Sequence, residues 1–369
     1  MELTRFLVAW RTTVLHDREV IDALVHPAHA APSPDVLQAV AQWPGRWYWS
    51  PEPDGLHLIL SRRTAPLRRE RWALHALLFF ATLLTTTFAG AVLAGAIPYD
   101  NPFDLFTGAY PVPPAFARAW THGLVFSLPL LAILLCHEFG HYFTARWYLL
   151  DASPPYFIPV PLVPSFIGTM GAFIRLRTIV ADRRQLFDVG VAGPVAGFVV
   201  ALPILWFGLA QSHALPGHGE LSGMLLAIGG ETAGLGDSLV TLALRRLTHP
   251  EATAVLLSPL GFAGWVGMFV TMLNLLPISQ LDGGHILYAA LPRWQGRIAL
   301  VFWVLIVILG WYWRGWLVWG VLVLVLSRGR LSHPPVLDAY RPMPASRRSF
   351  SWATLALFAI TFAPVPFRI

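Results

Sequence analysis

The sequence predicts an all-α polytopic membrane protein with six to seven transmembrane helices, a re-entrant β-hairpin-like loop and a small N-terminal cytoplasmic segment. Three observations support this fold class. Hydrophobic residues make up 56% of the chain and charged residues only 12%, about half the charged fraction of soluble domains. Long apolar runs recur after residue 70, and arginines cluster between them, as orientation signals do. The net charge of +6 is therefore an orientation signal and predicts no nucleic-acid partner.

Residues 1–70 are of ordinary polarity, and we expect them to form a small cytoplasmic region beside a membrane domain of residues 71–369. An alternating stretch at 47–60 predicts a small hairpin around Pro-Asp-Gly. Five arginines precede the first apolar run at 72–96, which places the N-terminus in the cytoplasm. The absence of lysine is typical of a GC-rich bacterial genome, so a bacterial cytoplasmic membrane is the expected location.

The later apolar runs are predicted to cross the bilayer in alternating directions. They lie at about 121–149, 189–209, 254–276 and 298–326, with a short segment at 350–362. The run at 298–326 exceeds the roughly 20 residues that span a membrane, so it is either two short helices or one tilted helix. The Gly-rich segment 210–253 is expected to form amphipathic helices on the outer surface.

The segment at residues 130–150 carries ionisable side chains within an apolar run, where each one is costly. On a helix, His137 and His141 project from one face, with Glu138 beside them. Two imidazoles at this spacing bind Zn²⁺ while the glutamate serves as general base to an activated water. The alternative is an intramembrane hydrogen-bonded cluster. The position along the run places the metal roughly 10 Å from the inner surface of a hydrocarbon core about 30 Å thick.

Zinc needs a third protein ligand and an open position for water. Soluble metalloproteases often place a third histidine six residues further on, but Trp147 occupies that position. Three downstream glutamates, Glu220, Glu231 and Glu251, fall in the segment predicted to lie outside. The remaining intramembrane carboxylate is Asp282 in LDGG, at the inner end of an inward-running helix. Asp282 is therefore the predicted third ligand, with one Zn²⁺ per chain.

These motifs resemble those of the site-2 protease family of intramembrane zinc metalloproteases. HEFGH and a later NLLPISQLDGGH, together with GTMGAFIRLRT and LFDVGVAGPVAGF, are similar to its bacterial and chloroplast branch. The resemblance covers about residues 72–368. It implies a metalloendopeptidase in the lipid bilayer, acting on membrane-protein substrates with a transmembrane helix. It also implies that His137, His141 and Asp282 bind zinc and that Glu138 activates water.

The resemblance further implies that Asn274 binds substrate or polarises the scissile carbonyl, and its amide is suited to support an oxyanion. A helix–helix hydrogen bond is the alternative role. The Pro- and Gly-rich loop at 154–178 predicts a re-entrant hairpin whose edge pairs with an unwound substrate; a lipid-facing turn is the alternative. Its candidate substrate-binding residues are Gly168, Gly171, Phe173, Ile174 and Arg175. His285, three residues after Asp282, either orients that carboxylate or is a simple polar residue.

Two other functions compete with proteolysis. A divalent-metal transporter would explain intramembrane His and Asp residues but has no need for Glu138 beside the first histidine. A catalytically inactive scaffold would have no need to retain the complete set of His137, Glu138, His141, Asn274 and Asp282. Proteolysis is the function that the sequence favours.

Overall fold

The computed structural model describes residues 2–29, 33–66, 68–97, 112–160, 167–215, 222–228 and 231–368, with the backbone alone for residues 2 and 112–119. The expected all-α fold with six to seven spans is wrong. The described strands form sheets of four, five and two strands. Within the described ranges, three helices are long and apolar enough to cross a membrane: α2 (Trp72–Leu93), α3 (Val112–Trp147, apolar from Trp120) and α4 (Arg183–Ala210).

The N-terminal region is a four-stranded antiparallel sheet covered by one helix, and the predicted hairpin is half of it. Its strands are β1 (Leu7–Val14), β2 (Arg18–Val25), β3 (Arg46–Glu52) and β4 (Gly55–Arg63), in the order β1-β2-β4-β3. Helix α1 (Pro34–Ala41) buries Val36 and Val40 with Leu58 and Leu60 of β4. Short 3₁₀ helices at Glu2–Phe6 and Pro27–His29 flank the sheet. The hairpin turns where Glu52 pairs with Gly55, whose φ of 146° favours glycine.

Two of the predicted spans are shorter than expected because strands and turns interrupt them. The run at 254–276 begins as strand β10 (Ala254–Leu256), which belongs to the five-stranded sheet, and helix α6 (Pro259–Asn274) starts after the N-cap Ser258. The run at 298–326 divides at Gly310 into α8 (Gln295–Leu309) and α9 (Gly315–Leu326). At 15 and 12 residues, these helices are too short to span a bilayer alone.

The described part of the Gly-rich segment after α4 contains three strands and one helix, so the expectation of amphipathic helices holds for one of its described elements. Strands β7 (His213–Leu215), β8 (Gly223–Ile228), β9 (Glu231–Leu235), β10 and β11 (Phe367–Arg368) form a sheet in the order β11-β9-β8-β10-β7. Helix α5 (Leu239–Thr248) follows, with a capping box between Ser238 and Thr241. The sheet forms because consecutive residues Met224, Leu225 and Leu226 of its central strand are buried.

Helix α3 runs through the middle of the helical part and packs against α2, α4 and α6. Its buried face includes Phe126, Leu130 and Ile133, and Phe126 stacks on Phe262 of α6. Close approach depends on glycine: a Cβ on Gly123 would overlap the backbone of α2. Small residues at helix interfaces are the usual packing device inside membranes. This packing fixes the position of the motif that α3 carries.

The remaining elements bring the second motif to α3. Helix α6 ends at Asn274 and a turn leads into the short helix α7 (Asp282–Ala290). Strands β5 (Tyr156–Pro159) and β6 (Thr169–Phe173) form the two-stranded sheet between α3 and α4. The last helix, α10 (Ala345–Thr361), packs against α7 and α6.

The N-terminal sheet docks on one end of the helices. Arg18 of β2 is fully buried and donates hydrogen bonds to the carbonyls of Tyr148 and Ile179. Arg341, also buried, contacts Asp22 and Glu52 of the sheet. The N-terminal region, the segment between α3 and α4 and the segment before α10 therefore lie together at the same end.

Candidate metal centre and active site

The two histidines and the glutamate of HEFGH lie on the buried part of α3. His137, Glu138 and His141 are 3%, 6% and 6% exposed. The two histidines are one helical turn apart, which places them on the same face, and their Nε2 atoms approach to 3.2 Å. Two imidazole donors therefore converge on one point inside the helical core.

Asp282, the first residue of α7, brings the third donor atom to this point. Its Oδ2 lies 3.2 Å from His137 Nε2 and 3.3 Å from His141 Nε2. Gly283 permits this placement because a Cβ there would overlap the carbonyl of Leu275 at the end of α6. The short helix can therefore begin directly beside the end of α6.

The three donor atoms fit a zinc ion by size and by chemistry. Ligand atoms 2.0–2.1 Å from a tetrahedral zinc lie about 3.3 Å from one another. The three distances among His137 Nε2, His141 Nε2 and Asp282 Oδ2 are 3.2, 3.2 and 3.3 Å. Two imidazoles and one carboxylate also leave the fourth position open, as catalytic zinc sites require.

Helix α4 orients and confines the two imidazoles. His141 Nδ1 donates a hydrogen bond of 2.7 Å to the carbonyl of Val189, which leaves Nε2 as the atom that faces the centre. A Cβ on Gly193 would overlap the His141 ring, and one on Gly197 would lie 3.1 Å from His137 Nδ1. Two glycines four residues apart thus form the wall against which the two histidines rest.

Glu138 faces a cavity of about 200 Å³ at the same centre. The backbone amide of Ile174, just after β6, donates a hydrogen bond to its carboxylate. The side chains of Phe173 and Ile174 line this cavity together with the three donor residues. A buried carboxylate held by one backbone donor, beside converging metal ligands, is suited to accept a proton from water.

Asn274 lies at the edge of the same cavity, and its Nδ2 is 3.2 Å from His137 Nε2. Three of the predicted loop residues, Gly168, Gly171 and Arg175, do not line this cavity. Gly168, at φ 80°, packs against α2, where Thr85 donates a hydrogen bond to its carbonyl. Gly171 has φ 100° in the β6 strand, and Arg175 is exposed, with its backbone paired to Ser153.

His285 also lines the cavity, but its hydrogen bond leads away from the metal centre. Its Nδ1 lies 2.7 Å from Nε2 of His333, a residue in the segment between α9 and α10. The hydrogen bond found for His285 in the described chain is therefore to His333 and not to Asp282. His333 carries no motif, so nothing in the sequence indicated this pair.

Several residues at the centre were not predicted from the sequence. They are Val189, Gly193, Gly197, Gln280 and His333, together with the backbone amide of Ile174. The glycines did leave a signal, since Gly193 and Gly197 repeat the four-residue spacing of His137 and His141. That shared spacing is typical of a small-residue face packed on a larger one.

A second group of possible metal ligands lies in the N-terminal sheet, where Asp22, Glu52 and His57 converge. Arg341 already supplies a cation to this group, with contacts of 2.5 Å to Asp22 and 3.0 Å to Glu52. We therefore describe it as an ion-pair cluster.

The chain is similar to known proteins over the region that carries these motifs. The sequence model of peptidase family M50 matches residues 125–309. "Probable zinc metalloprotease EGY1, chloroplastic" of Oryza sativa subsp. japonica is 32% identical over 244 residues, 64% of this chain and 40% of that protein. The Arabidopsis thaliana protein of the same name is 33% identical over 250 residues, 65% of this chain and 43% of that protein. The chain spans about two fifths of the length of these curated relatives. No solved structure matches the chain.

Proposed function

This chain belongs to peptidase family M50, and from that premise we propose that it is an intramembrane zinc metalloprotease. It hydrolyses peptide bonds within the transmembrane segments of membrane-protein substrates. The observation that carries this proposal is the triangle of His137, His141 and Asp282 donor atoms with Glu138 beside it. The relatives named as probable zinc metalloproteases support the same chemistry.

His137, His141 and Asp282 would hold the zinc, which would provide Lewis-acid chemistry towards a carbonyl and a water when bound. Glu138 accepts the proton of the attacking water and passes it to the leaving amine. The amide of Ile174 keeps the Glu138 carboxylate directed into the cavity. Asn274 offers an amide donor at the same edge, where it stabilises negative charge on the carbonyl oxygen.

The substrate is proposed to enter as an extended segment along β6. Phe173 and Ile174 line the cavity, so a chain that pairs with this strand lies beside Glu138. Backbone pairing of this kind selects an unwound segment, because a helix already uses its own backbone groups. Gly171, at φ 100°, permits the backbone course of β6.

The end of the molecule that carries the N-terminal sheet is proposed to face the cytoplasm. Arginines are concentrated in the segments that meet there, at 62–71, 175–184 and 328–348, in agreement with the positive-inside rule. His141 lies six residues before the end of α3, about 9 Å along the helix. The centre would then sit inside the bilayer near its cytoplasmic side. The chain has no lysine, which is typical of a GC-rich bacterial genome and therefore favours a bacterial cytoplasmic membrane.

The decisive experiment is Glu138→Gln in purified, reconstituted protein. Glutamine keeps the size and a hydrogen-bonding group but accepts no proton, so cleavage of a single-span substrate should fall about 10²–10⁴-fold. Zinc content should stay at the parent level because Glu138 is not among the three converging donors. Glu231→Gln, on the five-stranded sheet, is the matched control and should cleave at the parent rate. Cleavage at the parent rate by Glu138→Gln would refute the protease assignment.

A further inference from the structure

The pair formed by His285 and His333 joins the catalytic cavity to the segment before α10. We propose that His333 positions His285 as a hydrogen-bond acceptor for a backbone N–H of the substrate. The segment between α9 and α10 would thereby complete a substrate subsite, although it lies beyond the residues matched by the family model. This inference rests on the proposed protease function and assigns one further contact to it.

The directions of these hydrogen bonds follow from the carbonyl group of Pro334. His333 Nδ1 lies 2.5 Å from the carbonyl oxygen of Pro334, and a carbonyl oxygen only accepts. Nδ1 of His333 therefore carries the hydrogen, and its Nε2 accepts from Nδ1 of His285 at 2.7 Å. The neutral His285 ring is left with a lone pair on Nε2. Pro334 thus determines the tautomers of both rings.

His333 is itself held in place from two sides. Its backbone amide donates a hydrogen bond of 2.8 Å to Oε1 of Gln295, at the start of α8. Its ring stacks on Tyr288 of α7, with centroids 4.6 Å apart and planes inclined by 29°. Tyr288 lies one turn after His285 on the same helix, so the two rings keep a fixed relative position. A constrained partner of this kind holds His285 in one rotamer.

A substrate in the cavity needs such an acceptor. An extended peptide presents N–H groups as well as carbonyls, and a buried N–H without a partner is costly. Among the polar side chains that line the cavity, Glu138 and Asp282 are assigned to proton transfer and metal binding. Asn274 and Gln280 carry amides that both donate and accept. In the tautomer that His333 imposes, the second ring nitrogen of the lining residue His285 can only accept.

The contact is expected in both the ground state and the transition state, because it lies away from the reacting bond. Its loss should therefore weaken substrate binding and raise KM while kcat changes little. Leaving one buried N–H unpaired costs roughly a factor of ten in affinity. If His333 had a purely structural role, its loss would lower the stability of the protein without raising KM selectively.

The test measures the dissociation constant of a fluorescent single-span substrate peptide in liposomes, in the Glu138→Gln background, where turnover does not interfere. His333→Leu should weaken binding about tenfold, and His333→Gln, which keeps an acceptor, should recover most of it. Asp338→Asn loosens the same segment away from the ring, since Asp338 accepts from the amides of Tyr340 and Arg341. It should bind as the parent does.

Parent-like binding by His333→Leu, or equal weakening by Asp338→Asn, would overturn the inference. The failure of the protease assignment is seen separately, as cleavage by Glu138→Gln with the histidines intact. In the active background, His333→Leu should raise KM about tenfold and leave kcat within roughly twofold of the parent. A fall in kcat at unchanged KM would also contradict a binding role.

Discussion

Arg341 and Asp182 form a buried ion pair between residues 159 positions apart, with Nη1 3.3 Å from Oδ2. Asp182 is the N-cap of α4 and also accepts a hydrogen bond from Tyr48 of the N-terminal sheet. The same guanidinium reaches Asp22 at 2.5 Å and Glu52 at 3.0 Å. One side chain therefore joins the N-terminal sheet, the start of α4 and the segment before α10.

Arg341→Leu should destabilise the protein by about 3–5 kcal/mol, because it leaves the buried Asp182 and the partly buried Asp22 and Glu52 without this cation. The side chains of Arg341 and Asp182 are 4% and 0% exposed, so water cannot replace the lost contact. Thermal unfolding in detergent micelles measures the change. Arg348→Leu, a more exposed arginine on α10, serves as the control. An unchanged midpoint for Arg341→Leu would show that the cluster contributes no net stability.

Loss of a metal ligand should appear directly as loss of zinc. We expect purified His137→Ala and Asp282→Asn to hold far less zinc than one ion per chain, because two remaining donors bind weakly. His213→Ala removes an exposed histidine of β7 and should keep the parent content. The measurement is elemental analysis of folded protein. Full zinc in either ligand variant would remove that residue from the set.

Gly193→Ala should impair the centre without touching a donor. The new Cβ would overlap the His141 ring, which must then leave its position against Val189. Displacing an orienting contact of this kind costs about 10–100-fold in metal affinity. Gly320→Ala on α9 is the control, since its Cβ would meet ordinary contacts of 3.7 Å. Competition with a zinc chelator measures the zinc affinity of both variants. Equal affinities would contradict the proposal that Gly193 makes room for the His141 ring.

Stability should depend on pH through His57 in the N-terminal sheet. Burial acts to lower the pKa of His57, but its hydrogen bond to Asp22 and the nearby carboxylates prevail and raise it above the ordinary value. The protonated ring therefore stabilises the fold fully below the unfolded pKa of about 6.5, and this contribution is lost as pH rises through the folded pKa.

The difference in melting temperature between the parent and His57→Gln should accordingly be largest near pH 5.5 and shrink towards pH 9. His213→Gln, on the five-stranded sheet, is the control for the substitution itself. Parallel curves for the parent and His57→Gln across this range would show that the Asp22 contact does not alter the titration of His57.

The sequence predicted the helix that carries HEFGH and the approach of its two imidazoles, and the structure contains both. His137, Glu138 and His141 are adjacent on one helix, so their spacing alone indicated a shared face. Asp282 was inferred from depth in the membrane, and the structure brings it to the same point, although its role as a ligand stays a prediction. Local patterns are informative because helix geometry converts spacing into proximity.

What the sequence did not indicate depends on distant pairing. The strand Ala254–Leu256 reads as the start of an apolar helix, yet it pairs with β7 and β8. The contact of Arg341 with Asp22 spans 319 positions, and no periodicity reports it. Hydropathy alone also overestimated the spans, because apolar residues of short buried helices resemble those of lipid-facing ones.

The Arg341 cluster also constrains how the protein assembles. The four-stranded sheet is built from neighbouring segments and can form early, since local contacts close quickly. Its contact partner Arg341 is synthesised only after α2, α3 and α4. Domains generally fold in the order of their synthesis. Asp22 and Glu52 of the folded sheet therefore stay hydrated until residue 341 has been synthesised. The docking of the N-terminal sheet is therefore completed late: a chain truncated before residue 341 would keep the hydrogen bonds of Arg18 to Tyr148 and Ile179 but would leave Asp22 and Glu52 without the guanidinium of Arg341.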